Sequence, residues 1–131
     1  MTNDSVPPGG VSFTHERLEV WRLAVDYAVD MYEATGTLPP DERFGLCSQL
    51  RRAALSISSN IAEGNGRTHS RDRVRFVEIA NGSLMETVSQ LCVASKLGFI
   101  SEPTHGELRR SADQLARMLT ALRRSHEQRS S

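Results

Sequence analysis

At 131 residues the chain has room for one domain, long enough to bury a core without metal or disulfide support. Its 16 basic and 16 acidic residues cancel, which excludes the strong overall field of an obligate nucleic-acid or membrane binder. Cys47 and Cys92 lie among apolar neighbours and read as small buried hydrophobes. With no signal-like N-terminus and no apolar run of 18 residues, neither secretion nor membrane spanning is supported, and a cytoplasmic protein is expected.

The first 14 residues, with Pro7-Pro8 and Gly9-Gly10, read as a flexible leader, and residues 15–125 as the domain. A first helix is predicted over 16–35. Leu18, Trp21, Val25, Ala28 and Tyr32 recur at spacings of three and four, and Val20, Ala24, Tyr27 and Met31 form a second stripe beside them. Two stripes need more than one covering partner, so the second is assigned to a subunit interface, the alternative being a monomer with a mildly apolar surface.

A second helix is predicted over 41–64, with Asp41 as its N-cap and Gly64-Asn65-Gly66 as its terminator. Leu50, Ala54, Ile57 and Ile61 fall on one face. Arg52, Ser56, Ser59, Asn60 and Glu63 fall within a narrow arc roughly opposite. Ser and Asn are weak helix formers and unusual on a plain solvated face. Arg52, Ser56, Asn60 and Glu63 are therefore read as a polar seam against another helix or subunit, the alternative being a solvated face that drifted to small polar residues.

Ser70 caps a third helix over 70–97, which the seven-residue spacing of Val77, Leu84 and Leu91 carries through Asn81-Gly82, with Gly98 as its stop. Leu108, Ala112, Leu115, Leu119 and Leu122 define a fourth over 104–125, before a polar tail at 126–131. No strand pattern competes. Four amphipathic helices with short connections predict an all-α, up-and-down, left-handed four-helix bundle.

Signatures of catalysis are absent. His15, His69, His105 and His126 sit at predicted helix ends or in loops, and Ser56, Ser58 and Ser59 have no histidine near in sequence. A non-enzyme without cofactor or metal is expected. The remaining chemistry is electrostatic: residues 1–40 hold six acids and two arginines, whereas residues 104–131 hold three acids and six arginines. Arg67, Arg71, Arg73 and Arg75 cluster at the start of the third helix. Arg109, Arg110, Arg117, Arg123 and Arg124 stud the fourth. All nine are candidate nucleic-acid contacts, the alternative being solvated arginines in intrahelical pairs such as Asp113 with Arg117. The start of the third helix and the end of the fourth are placed at opposite ends of the molecule, so that the arginines join only as bands or rings in an oligomer. No aromatic platform for base stacking is visible.

Leu18-Glu19-Val20-Trp21, Glu42-Arg43-Phe44-Gly45-Leu46, Arg51-Arg52-Ala53-Ala54, Asn60-Ile61-Ala62-Glu63-Gly64, Ile79-Ala80, Gly82-Ser83-Leu84 and Leu97-Gly98 occur in that order. Together they resemble the bacterial S23 family, first noticed as reading frames in intervening sequences of 23S ribosomal RNA genes. The likeness covers residues 13 to about 124. It implies a four-helix bundle that assembles as a barrel-like homopentamer, and a related branch comprises accessory variability proteins that bind a reverse transcriptase and nucleic acid. That branch is strongly basic, and this neutral chain departs from it. The resemblance brings no catalytic residues.

The leading expectation is a homo-oligomeric scaffold that binds RNA, DNA or a nucleic-acid-processing protein and no membrane. The alternative is an accessory subunit that docks on a protein such as a reverse transcriptase without touching nucleic acid. A small-molecule sensor is a third class, with no sequence sign of a suitable pocket.

Overall fold

A computed structural model describes residues 13–128, and these contain four α-helices and no strand. The helices are α1 (Glu19–Thr35), α2 (Leu46–Asn65), α3 (Ser70–Lys96) and α4 (Glu102–Gln128). Each packs on its neighbours in sequence and α4 closes against α1, giving an up-and-down four-helix bundle. Most of the predicted leader and the end of the predicted tail lie outside the described residues.

Local chemistry sets the helix limits. Thr14–Arg17 and Pro40–Glu42 form tight 3-10 turns, so α1 and α2 start later than the hydrophobic pattern predicts. Asp41 is consequently not the cap of α2. Gly45 holds that position, and the Glu42 carboxylate accepts from the Leu46 N–H at 3.4 Å. His69, not Ser70, precedes the first residue of α3. Beyond α3, Gly98 adopts φ +79°, and Phe99 N–H reaches Ala94 O at 2.9 Å while Gly98 N–H reaches Ser95 O, the paired bonds of a glycine-terminated helix. At the other end of α4, His126 is buried and the helix runs on to Gln128, past the predicted start of the tail.

The core runs the length of the bundle and includes Leu50, Ile57 and Ile61 from α2, Leu84 and Leu91 from α3, and Leu115 and Leu119 from α4. α1 contributes Val20, Ala24, Tyr27 and Met31, each at most 5% exposed within one chain. These four are therefore core residues, and the structure corrects their assignment to a subunit interface. Tyr27 reaches across the bundle to α3. Thr87 donates to Leu84 O, so the phenol donates to Thr87 Oγ1 at 2.9 Å. Burial raises the Tyr27 pKa, and the Thr87 hydrogen bond partly opposes that rise.

The α2–α3 pair meets through small and polar side chains. Ser56 Oγ lies 2.9 Å from Ser83 Oγ, and one heptad away Gln90 donates to Gln49 at 3.1 Å. Stepping seven residues back on α2 and seven forward on α3 restores contact, as an antiparallel heptad register requires. Near the turn the helices approach so closely that a Cβ on Gly64 would stand only 2.7 Å from the Cβ of Phe76.

The α1–α4 pair is more open. Between the end of α1 and the start of α4 lies a cleft of about 460 Å3 whose rim carries Asp30, Glu33 and Glu107. Asp30 has its carboxyl pKa raised, first by partial burial and then by repulsion from Glu33, Asp26 and Glu107.

Two helical glycines respond oppositely to alanine. Gly64→Ala should destabilise by about 1–3 kcal/mol through the clash with Phe76. Gly82, in mid α3, has nothing within 4 Å of an added Cβ, so Gly82→Ala should stabilise by up to about 1 kcal/mol. Urea unfolding of the two variants checks both signs. Asp30 gives a pH test. Because its folded pKa is raised, its contribution to stability is present at low pH and is lost as pH rises. Asp30→Asn should unfold later than wild type at pH 7, with the gain vanishing below about pH 4 and shrinking in high salt.

Candidate nucleic-acid interface

The four-residue turn from Gly66 to His69 reverses the chain, and α3 then runs away from it while α4 returns towards it. The start of α3 and the end of α4 therefore share one end of the bundle. An ion pair of 3.3 Å between Arg123 and Glu78 ties them together, and Glu127 of α4 lines one shallow cleft with Ser70, Arg71 and Arg75 of α3. This corrects the expectation that the two arginine groups stand at opposite ends. In an up-and-down bundle consecutive helices are antiparallel, so the beginning of one faces the finish of the next.

Arg67, Arg71, Arg73, Arg75, Arg123 and Arg124 thus form one basic end, diluted by Glu63, Asp72, Glu78 and Glu127. Their states differ. Arg67 lies 4.8 Å from the centre of the Phe76 ring and 3.6 Å from Glu63, and its backbone carbonyl accepts from Arg73 Nε at 2.6 Å. Arg123 is shared between Glu78 and Glu127. Arg71, Arg75 and Arg124 are exposed and hold no ion pair among the described residues. Exposed pairs of this kind are worth only about 0–1 kcal/mol each, so breaking them costs little.

The other three candidates, Arg109, Arg110 and Arg117, stand apart on the outer face of α4, where Arg117 pairs with Asp113 at 2.7 Å. The nine arginines therefore make two surfaces.

The polar seam contracts. Asn60 Nδ2 donates to Ser56 O at 2.7 Å and to Ser56 Oγ at 2.9 Å, and Ser83 completes the group from α3. Arg52 is exposed and outside it, and Glu63 is turned to Arg67. Ser83 escaped the sequence reading because it is a lone serine beside Gly82. So did Arg51, which crosses from α2 to α1. Its guanidinium donates to Thr35 Oγ1 at 2.8 Å and Tyr32 O at 3.2 Å, and lies 4.5 Å from the Tyr32 ring centre. A cation there complements the negative end of α1, whose own last turn has no basic residue.

With Val20, Ala24, Tyr27 and Met31 in the core, one unpartnered apolar surface is a groove between α1 and α2. It is lined by Val25, Ala28, Val29, Tyr32, Leu55 and Ser58, with Val29 52% and Leu55 45% exposed. Among the described residues no three His, Cys, Asp or Glu side chains gather in a way that could hold a metal ion. Nor is any described helix long and apolar enough to cross a membrane.

Comparison with known proteins agrees with this architecture. The chain is similar to a crystallised protein of unknown function from the S23 ribosomal protein family of Bacteroides thetaiotaomicron VPI-5482. The TM-score is 0.74 at 19% sequence identity, covering 79% of this chain and 97% of the other, a likeness of fold. No curated protein matches the sequence significantly. Residues 16–121 match the family described as 23S rRNA-intervening sequence protein. With its four-helix bundle and a match over most of its length, the chain belongs to the 23S rRNA-intervening sequence protein family.

Proposed function

We propose that the protein is a non-enzymatic, cytoplasmic, homo-oligomeric helical scaffold whose basic end binds the phosphate backbone of RNA. The convergence of Arg67, Arg71, Arg73 and Arg75 with Arg123 and Arg124 carries this reading. A neutral chain attracts no polyanion as a whole, but charge gathered at one end acts within a Debye length of about 8–10 Å, and oligomeric repetition multiplies it. The N-terminus of α3 opens onto the same surface and adds its partial positive charge. Without a stacking platform, recognition proceeds through backbone and shape. The family name, which refers to sequences that interrupt 23S ribosomal RNA, favours RNA as the ligand.

The α1–α2 groove supports self-association, in the barrel-like pentameric form that the S23 resemblance implies. It also supports a second reading, an accessory subunit docking on a nucleic-acid-processing protein such as a reverse transcriptase. Phe44, 88% exposed just before the start of α2, is a further exposed apolar side chain.

Titrating a labelled structured RNA at two salt concentrations tests the leading reading. Wild type should bind more weakly at the higher salt. Arg71→Ala with Arg75→Ala should reduce affinity and flatten the slope of log K against log salt by about 1 for each arginine–phosphate pair removed. Salt-independent binding, or an unchanged slope in the double variant, refutes it and leaves the docking reading.

A further inference from the structure

Glu19, Asp26 and Glu33 are exposed on α1 at heptad spacing, and Arg110, Arg117 and Arg124 are exposed on α4 at the same spacing. Seven residues advance a helix by about 10.5 Å and nearly two turns, so each set is a straight ladder about 21 Å long. The lower rungs share one broad face. Glu19 and Asp26 line a shallow cleft on one side of Gln114, and Arg110 and Arg117 line another on its opposite side. Glu19, Asp26 and Arg110 hold no ion pair among the described residues, and Arg117 pairs only with Asp113 in its own helix. Two opposite ladders of equal pitch thus stand side by side without meeting in one chain.

We propose that this face binds a second copy of the chain, with Glu19 and Asp26 of one copy seated on Arg117 and Arg110 of the next. The inference rests on the self-associating reading above and adds a contact outside the α1–α2 groove. Register supports it independently of charge. Within a chain Asp30 stands beside Glu107 and, one heptad on, Leu23 beside Gln114. By that register Asp26 is level with position 111 and Glu19 with position 118. Any rotation about an axis parallel to the helices keeps every residue at its own height, whether it generates a dimer or a larger ring. Asp26 of one copy then arrives within about 1.5 Å of the level of Arg110 in the next, and Glu19 within the same distance of Arg117. Parallel stacking therefore pairs both rungs at once, whereas a shift of half a heptad pairs neither. Arg22, in the same cleft as Glu19 and Asp26 and donating to Arg17 O at 3.1 Å, and Asp113, paired with Arg117, are the opposite-sign charges beside the rungs, and each ladder keeps its net sign with them included. Solvated pairs fix partner and register more than they add affinity, and the contact weakens with salt.

The test is charge reversal on the full chain, read by sedimentation and by energy transfer between labelled copies. Wild type should self-associate at micromolar concentration, less so as salt rises from 50 to 500 mM, concentrations of about one decade apart. Arg110→Glu with Arg117→Glu should weaken association at least tenfold, as should Glu19→Arg with Asp26→Arg. An equal mixture of the two variants should associate to within about threefold of wild type, because each supplies the sign that the other lacks. The neutral variants Arg110→Gln with Arg117→Gln should fall between, and serve if a reversal fails to fold. Wild-type association with no response to reversal, or a mixture that does not recover, overturns the ladder contact while leaving self-association intact. A wild type that stays monomeric at every concentration overturns both.

Discussion

The close approach of α2 and α3 is the constraint on which the rest of the molecule depends. Gly64 admits the Phe76 side chain where no Cβ would fit, and the Ser56–Ser83 contact replaces what would otherwise be two bulky or charged side chains. Small residues allow short separation between helices, and the hydroxyl bond satisfies the polar atoms that this proximity covers. The heptad-spaced Gln49–Gln90 contact then allows one axial alignment of the two helices. Once that hairpin is set, the turn at 66–69 is set too, and with it the position from which α3 projects Arg71 and Arg75.

The antiparallel path also explains how a chain of zero net charge acquires strongly different surfaces. Four of the six acids in the first 40 residues lie on α1, and five of the six arginines after position 103 lie on α4. Closing the bundle brings these two helices together without neutralising them, because their charged edges point to solvent on either side of the seam. At the far end of that seam the acids crowd one another instead, and Asp30 feels the repulsion as a raised pKa. Charge segregation of this kind contributes little to folding. The use proposed for it is outward, in orienting a second copy and in meeting a polyanion at one end.

Much of the fold was legible from periodicity alone. Four helices, the uninterrupted passage of α3 through Asn81-Gly82 and the stop at Gly98 all followed from spacing and turn chemistry. What periodicity does not carry is rotation. On α1 the spacing put Val20, Ala24, Tyr27 and Met31 at a subunit interface, and it is their burial, with the Tyr27–Thr87 bond across the bundle, that shows this stripe turning inward. The outer remnant, Val25, Val29 and Tyr32, lacked a partner on sequence grounds because Leu55, its neighbour in the groove, comes from another helix. Of the candidate site, the arginines were visible as residue types, but their union at one end required the antiparallel path to be followed correctly. The pin made by Arg51 and the role of Ser83 depend on tertiary proximity and left no local signal.

The claim at the centre of this account is that the basic end, where α3 begins and α4 finishes, is the surface that meets nucleic acid. Photocrosslinking of bound RNA followed by mass spectrometry of the attached peptides tests it most directly. The account predicts adducts concentrated in residues 67–75 and 121–128. Adducts concentrated instead on α1, or at the opposite end around residues 36–45 and 97–101, would contradict it.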